Sequence, residues 1–90
     1  MPGEDTVPRL AAGVKFRHDT VRGRWVLLAP ERLFQPDETA VEVLKLIDGE
    51  RNLRDITDVL AARYQAPRAV IAKDVADLMQ DLSERGALQW

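Results

Sequence analysis

Ninety residues with 46% hydrophobic and 31% charged side chains suffice for one domain around a single core, and the formal net charge is −2 at pH 7. The absence of cysteine excludes disulfides, thiolate metal sites and cysteine nucleophiles. No apolar run approaches the roughly 20 residues of a membrane span, and the acidic start Met1-Pro2-Gly3-Glu4-Asp5 is unlike a signal peptide, so the cytoplasm is the default compartment.

Residues 1–7 read as a mobile tail, followed by a short apolar patch at Leu10, Ala11 and Ala12. Val14 to His18 alternates apolar and polar side chains, the period of a half-buried strand. Asp19 to Gly23 is polar and glycine-ended, a hairpin connection. Arg24 to Ala29 is a nearly continuous apolar run of strand length and reads as the central strand. Pro30-Glu31-Arg32 turns the chain into a third short strand, Leu33-Phe34-Gln35, which Pro36 ends. Three strands with such short links predict an antiparallel meander whose last strand lies at the sheet edge.

Asp37 is placed to cap a first helix, in which Ala40, Val43, Leu44 and Ile47 recur at helical spacing through Asp48, with Gly49 as the left-handed stop. A second helix starts at Asn52, with Asp55 three residues on, and carries the stripe Leu53, Ile56, Val59, Leu60 and Tyr64. After the tight link Gln65-Ala66-Pro67, a third helix of about five turns buries Ile71, Val75, Leu78 and Leu82 and stops at Gly86. Ala87 to Trp90 either packs back on the core or forms a short strand. The predicted fold is α+β and winged helix-turn-helix-like: a three-stranded antiparallel sheet followed by three helices, one domain over residues 1–90.

The side-chain inventory argues against an enzyme. There is one histidine, His18, on a predicted strand, where it reads as structural. The one serine, Ser83, sits late in a predicted helix without a nucleophile-elbow pattern. No catalytic residue, cofactor or metal site is assigned. The winged-helix shape suggests DNA binding as the alternative function, with the third helix in the major groove. Charge opposes this, because Arg68, Lys73 and Arg85 are outnumbered by Asp74, Asp77, Asp81 and Glu84. Residues 1–36 carry six basic against four acidic side chains, whereas residues 37–90 carry seven against eleven. The helical part is the acidic part. An open strand edge beside such helices suits peptide docking by strand addition, unless the N-terminal tail covers it; both arrangements are open at this level.

Several segments carry a resemblance: Pro8-Arg9-Leu10, Val26-Leu27-Leu28-Ala29-Pro30-Glu31, Thr39-Ala40 with Val43-Leu44, and Ile47-Asp48-Gly49. They continue with Asp55-Ile56, Tyr64, Asp74-Val75, Leu78 and Leu82. In this order and spacing the chain resembles the PqqD family of pyrroloquinoline quinone (PQQ) biosynthesis over nearly its whole length. One departure is Arg32, where the family pattern has glycine after the Pro-Glu pair, so the third strand would start from a differently shaped turn.

The resemblance implies a peptide chaperone, a RiPP recognition element that binds the ribosomal precursor peptide PqqA and presents it to the radical S-adenosylmethionine enzyme PqqE. It implies protein partners only, no nucleic acid or membrane, and chemistry that belongs to the partner enzyme. The backbone of Arg32, Leu33, Phe34 and Gln35 is expected to pair with the peptide. Val70, Lys73, Asp74 and Asp77 are expected to form the groove wall on one flank of the third helix. Periodicity leaves the other flank, with Ala72 and Met79, equally available. A free edge strand also allows a monomer or a weak homodimer.

Overall fold

The computed structural model describes residues 2–90. A two-residue strand β1 (Arg9–Leu10) precedes the meander β2 (Lys15–Asp19), β3 (Arg24–Ala29) and β4 (Arg32–Phe34). The meander is an antiparallel sheet in the order β2-β3-β4. The β2–β3 hairpin closes on the Asp19 carboxylate, which accepts from the amides of Val21 and Arg22 at 3.0 and 3.1 Å. Leu27 of β3 is fully buried, and the register sets Phe16 and Phe34 against it on either side, so all three share the inward face. Leu28 and Leu33 pair on the opposite face.

The turn into β4 forms without glycine. Arg32 pairs with Ala29 across the two residues Pro30 and Glu31, so the strand begins at Arg32, one residue earlier than the sequence suggests. It also ends earlier, at Phe34, leaving Gln35 just beyond it.

Helix α1 (Glu38–Leu44) starts where expected, with the Asp37 carboxylate accepting from the Ala40 amide at 2.8 Å. It stops at Leu44 rather than Asp48. The chain tightens through bonds from the Leu46 and Ile47 amides to the carbonyls of Val43 and Leu44, which turns Leu46 into the core. Asp48 then folds over its own backbone, accepting from the Glu50 and Arg51 amides at 2.9 Å each. Gly49, at φ 79°, serves this loop instead of a helix end.

Helix α2 (Leu53–Tyr64) opens with a reciprocal capping box between Asn52 and Asp55. Its buried residues are Leu53, Ile56, Thr57 and Leu60; Tyr64, expected in the stripe, is 46% exposed. Helix α3 (Arg68–Glu84) buries Val75, Met79 and Leu82, while Ile71 and Leu78 are only half-buried. The core seam of α3 is therefore rotated towards Met79 relative to the expected stripe. After Gly86, β5 (Leu88–Gln89) pairs antiparallel with β1, Arg9 opposite Gln89 and Leu10 opposite Leu88.

The N-terminal segment lies against the start of α2. Thr6 and Glu4 carbonyls accept from the Leu53 and Arg54 amides at 2.9 and 3.0 Å, satisfying donors that the first turn of α2 leaves free. Asp5 pairs with Arg54 at 2.9 Å, and Glu4 pairs with Arg68. Met1 lies outside the described residues. Among the described residues no strand pairs with the outer side of β4. No helix among the described residues is long and apolar enough to cross a membrane.

Candidate functional site

The site begins with backbone. An antiparallel ladder alternates residues that exchange both bonds with the neighbour and residues whose groups point away from it. Because the β3–β4 link is two residues long, the closing pair Ala29–Arg32 is hydrogen-bonded, and so is Leu27–Phe34. Leu33, between them, directs its N–H and C=O to the open edge. Gln35 lies one residue beyond the strand and has no partner in the ladder. Of the four expected backbone contacts, Leu33 thus points to the open edge, while Arg32 and Phe34 spend their groups on β3.

Beside this edge runs a groove floored by α3. Near β4 it is a hollow of about 220 Å³ bounded by Phe34, Gln35, Leu78, Asp81, Leu82 and Arg85. Farther along it opens into a cavity of about 430 Å³, lined from α3 by Val70, Ile71, Asp74, Val75 and Leu78. Ala40 and Val43 of α1 and Leu60 and Tyr64 of α2 complete this cavity. Asp37, Ala40 and Leu78 border both hollows, so they form one continuous trough. Tyr64 and Val70 are 46% and 53% exposed, large apolar surfaces left open at its far end.

Of the side chains expected in the wall, Val70 and Asp74 line the trough, and Phe34 and Gln35 border its β4 end. Lys73 and Asp77 do not line it. They face solvent and pair with each other, Nζ to Oδ2 at 2.8 Å, which raises the lysine above its ordinary value. On the other flank Met79 is fully buried. Sequence reasoning missed Tyr64, Ile71 and Leu78 as groove residues because apolar side chains at helical spacing look the same whether a neighbour covers them or a trough leaves them open. It also missed Asp81 and Arg85, whose position one and two turns beyond Asp77 and Leu78 on the same face was the available signal.

The charges are sorted. Asp37 is engaged as the α1 cap, and Asp81 accepts from Arg85 Nε at 3.2 Å. Asp74 alone among the carboxylates lining the trough has neither a hydrogen bond nor an ion pair among the described residues. Arg68 is held above its ordinary value by hydrogen bonds to Asp58 and then Glu4. All three cations from Arg68 to Arg85 therefore have carboxylate partners.

His18 packs edge-on against Trp25, whose ring stacks on Phe16 with centroids 4.7 Å apart. Lys45 Nζ sits 5.2 Å from the Trp25 ring centroid. Among the described residues no three histidine or carboxylate side chains converge to hold a metal ion.

A three-stranded sheet with an open last strand, set against a long third helix, is the fold of the RiPP recognition elements. The solution structure of the PqqD truncation of Methylobacterium extorquens PqqCD, described as a functional and stand-alone element of this kind, matches with a TM-score of 0.84 at 40% identity. That match covers 100% of this chain and 96% of the other. Within this class the chain belongs to the PqqD family: the family profile for coenzyme PQQ synthesis protein D matches residues 24–88. A Bradyrhizobium diazoefficiens protein named PqqA binding protein is 49% identical over 85 residues, covering 94% of this chain and 82% of that relative. The lasso peptide synthetase B1, solved with a leader peptide, shares the fold with a TM-score of 0.81 at 22% identity, over 94% of this chain and 100% of that one.

Proposed function

We propose that this protein is a peptide chaperone of PQQ biosynthesis. It binds the ribosomal precursor peptide PqqA as an added strand along β4 and presents it to the radical S-adenosylmethionine enzyme PqqE. The observation that carries this reading is the open edge of β4 beside an apolar trough. Of five exposed large hydrophobic residues among those described, Tyr64 and Val70 line the trough. Exposed apolar surface in a trough beside an open strand edge calls for a partner that covers it. The relatives named PqqA binding proteins supply the partner's identity.

Strand addition explains how one domain holds a disordered peptide without catalytic groups of its own. Main-chain bonds to Leu33 and Gln35 fix the register, and every second peptide side chain points into the trough. Ordering the peptide consumes part of the contact energy, so binding settles at about micromolar, tight enough for delivery and loose enough for release. The reaction takes place on the partner enzyme, which meets the domain at a surface other than the trough. In the absence of peptide the same edge allows at most a weak homodimer. The compartment is the cytoplasm, where ribosomal precursors are made.

The test is a titration of isotopically labelled protein with synthetic PqqA, followed by backbone amide NMR. Saturable shifts centred on Leu33, Gln35 and the trough face of α3 support the reading. Shifts confined to other surfaces, or none at high peptide concentration, refute it.

A further inference from the structure

We infer that the far end of the trough selects a peptide segment in which an apolar side chain stands next to a lysine or arginine, with Asp74 as the residue that reads the cation. This rests on the peptide-binding reading and specifies the chemistry of what is bound. Four observations converge on it. The cavity is about 430 Å³, room for one large apolar side chain, and its floor of Val43, Leu60 and Val75 is apolar. Asp74 is exposed at its lining, and the other carboxylate there, Asp37, is spent on the Ala40 amide. Asp74 has no ion-pair partner among the described residues, although its chain neighbour Lys73 is available. That lysine bonds instead to Asp77 on the solvent side, leaving the Asp74 carboxylate without a direct partner. Finally, Tyr64 lines the same cavity, and an aromatic side chain and a carboxylate in one lining each favour a cation.

The experiment measures PqqA binding to the wild type, Asp74→Asn and Asp74→Lys by fluorescence anisotropy, with peptides in which each lysine or arginine is changed in turn to glutamine or glutamate. Helical circular dichroism verifies that the variants are folded. Asp74→Asn is expected to weaken binding about fivefold, and one peptide cation to lose the same factor when neutralised, without further loss when both changes are combined. Asp74→Lys is expected to recover affinity with the glutamate peptide at that one position. If wild-type affinity is kept by Asp74→Asn and by every neutralised peptide, the inference is overturned while peptide binding itself stands. If the wild type fails to bind any peptide, the peptide-chaperone reading falls and this inference with it.

Discussion

Arg68, the first residue of α3, donates from Nε to the Asp58 carboxylate of α2 at 2.7 Å, and its Nη2 reaches Glu4 of the N-terminal segment. One side chain thus joins the α2–α3 junction to a stretch whose carbonyls cap the start of α2. The trough is shaped by this junction, since Tyr64 and Val70 stand on either side of it.

The first prediction concerns that tie. Arg68→Ala should leave the helices formed, because the pair is exposed, but should release the N-terminal segment from α2. Hydrogen exchange at the Leu53 and Arg54 amides, bonded to Thr6 and Glu4, is expected to quicken while core amides of α3 keep their protection. Unchanged exchange at both positions would mean that the backbone bonds hold the segment without Arg68.

A second prediction separates backbone from side chain at the strand edge. Leu33→Pro removes an N–H that points away from β3, which an edge strand tolerates. PqqA binding should weaken about tenfold, the worth of one backbone hydrogen bond at the upper end of its usual range, while the β2–β3 amide shifts stay in place. Phe34→Pro, by contrast, takes a bond from β3 and should loosen the sheet itself. Equal peptide affinity for Leu33→Pro and the wild type would eliminate strand addition at this edge.

Acid should act on the loop after α1. The Glu50 and Arg51 amides donate to the Asp48 carboxylate and hold it below its ordinary value of 3.8. A carboxylate with a lowered folded-state pKa contributes stability above its unfolded value and loses that contribution as pH falls through the folded value. The Glu50 and Arg51 amide shifts should therefore titrate together with a midpoint below 3.8. A midpoint at or above that value would show that the turn does not favour the charged form.

Gln65 is the one non-glycine residue with positive φ among those described, at 51° in the α2–α3 link. Left-handed backbone costs a side chain of this kind roughly 1 kcal/mol, and glycine returns part of that through its looser unfolded state. Gln65→Gly should stabilise the fold by about 0.5 kcal/mol, a rise in Tm of roughly 2–4 °C, and Gln65→Val should lower it. A lower Tm for the glycine variant would contradict this assignment of strain.

The elements most legible in the sequence were those with local signatures. The alternation from Val14 to His18, the apolar run Arg24–Ala29, the Asp37 cap and the Asn52–Asp55 box each encode their structure within a few residues. What stayed hidden depends on distant partners. β1 is two residues long and exists because β5, at the other end of the chain, pairs with it. Tyr64, Ile71 and Leu78 carry core-like spacing, and only the gap between α1 and α3 shows that they border a trough. Lys73 and Asp77 flank the core face by helical angle and are expected in the wall, yet they pair with each other on the solvent side. Helical periodicity reports which residues share a face, and packing decides how wide that face is.

The β1–β5 pairing has a topological consequence. With Arg9 directly opposite Gln89, the first and last strands of the fold close on each other at a single seam. The chain could be joined across that seam and reopened at the tip of the β2–β3 hairpin, around the highly exposed Val21, giving a circular permutant. Such a rearranged chain would keep β4 and α3 in their original order, and with them the whole peptide path.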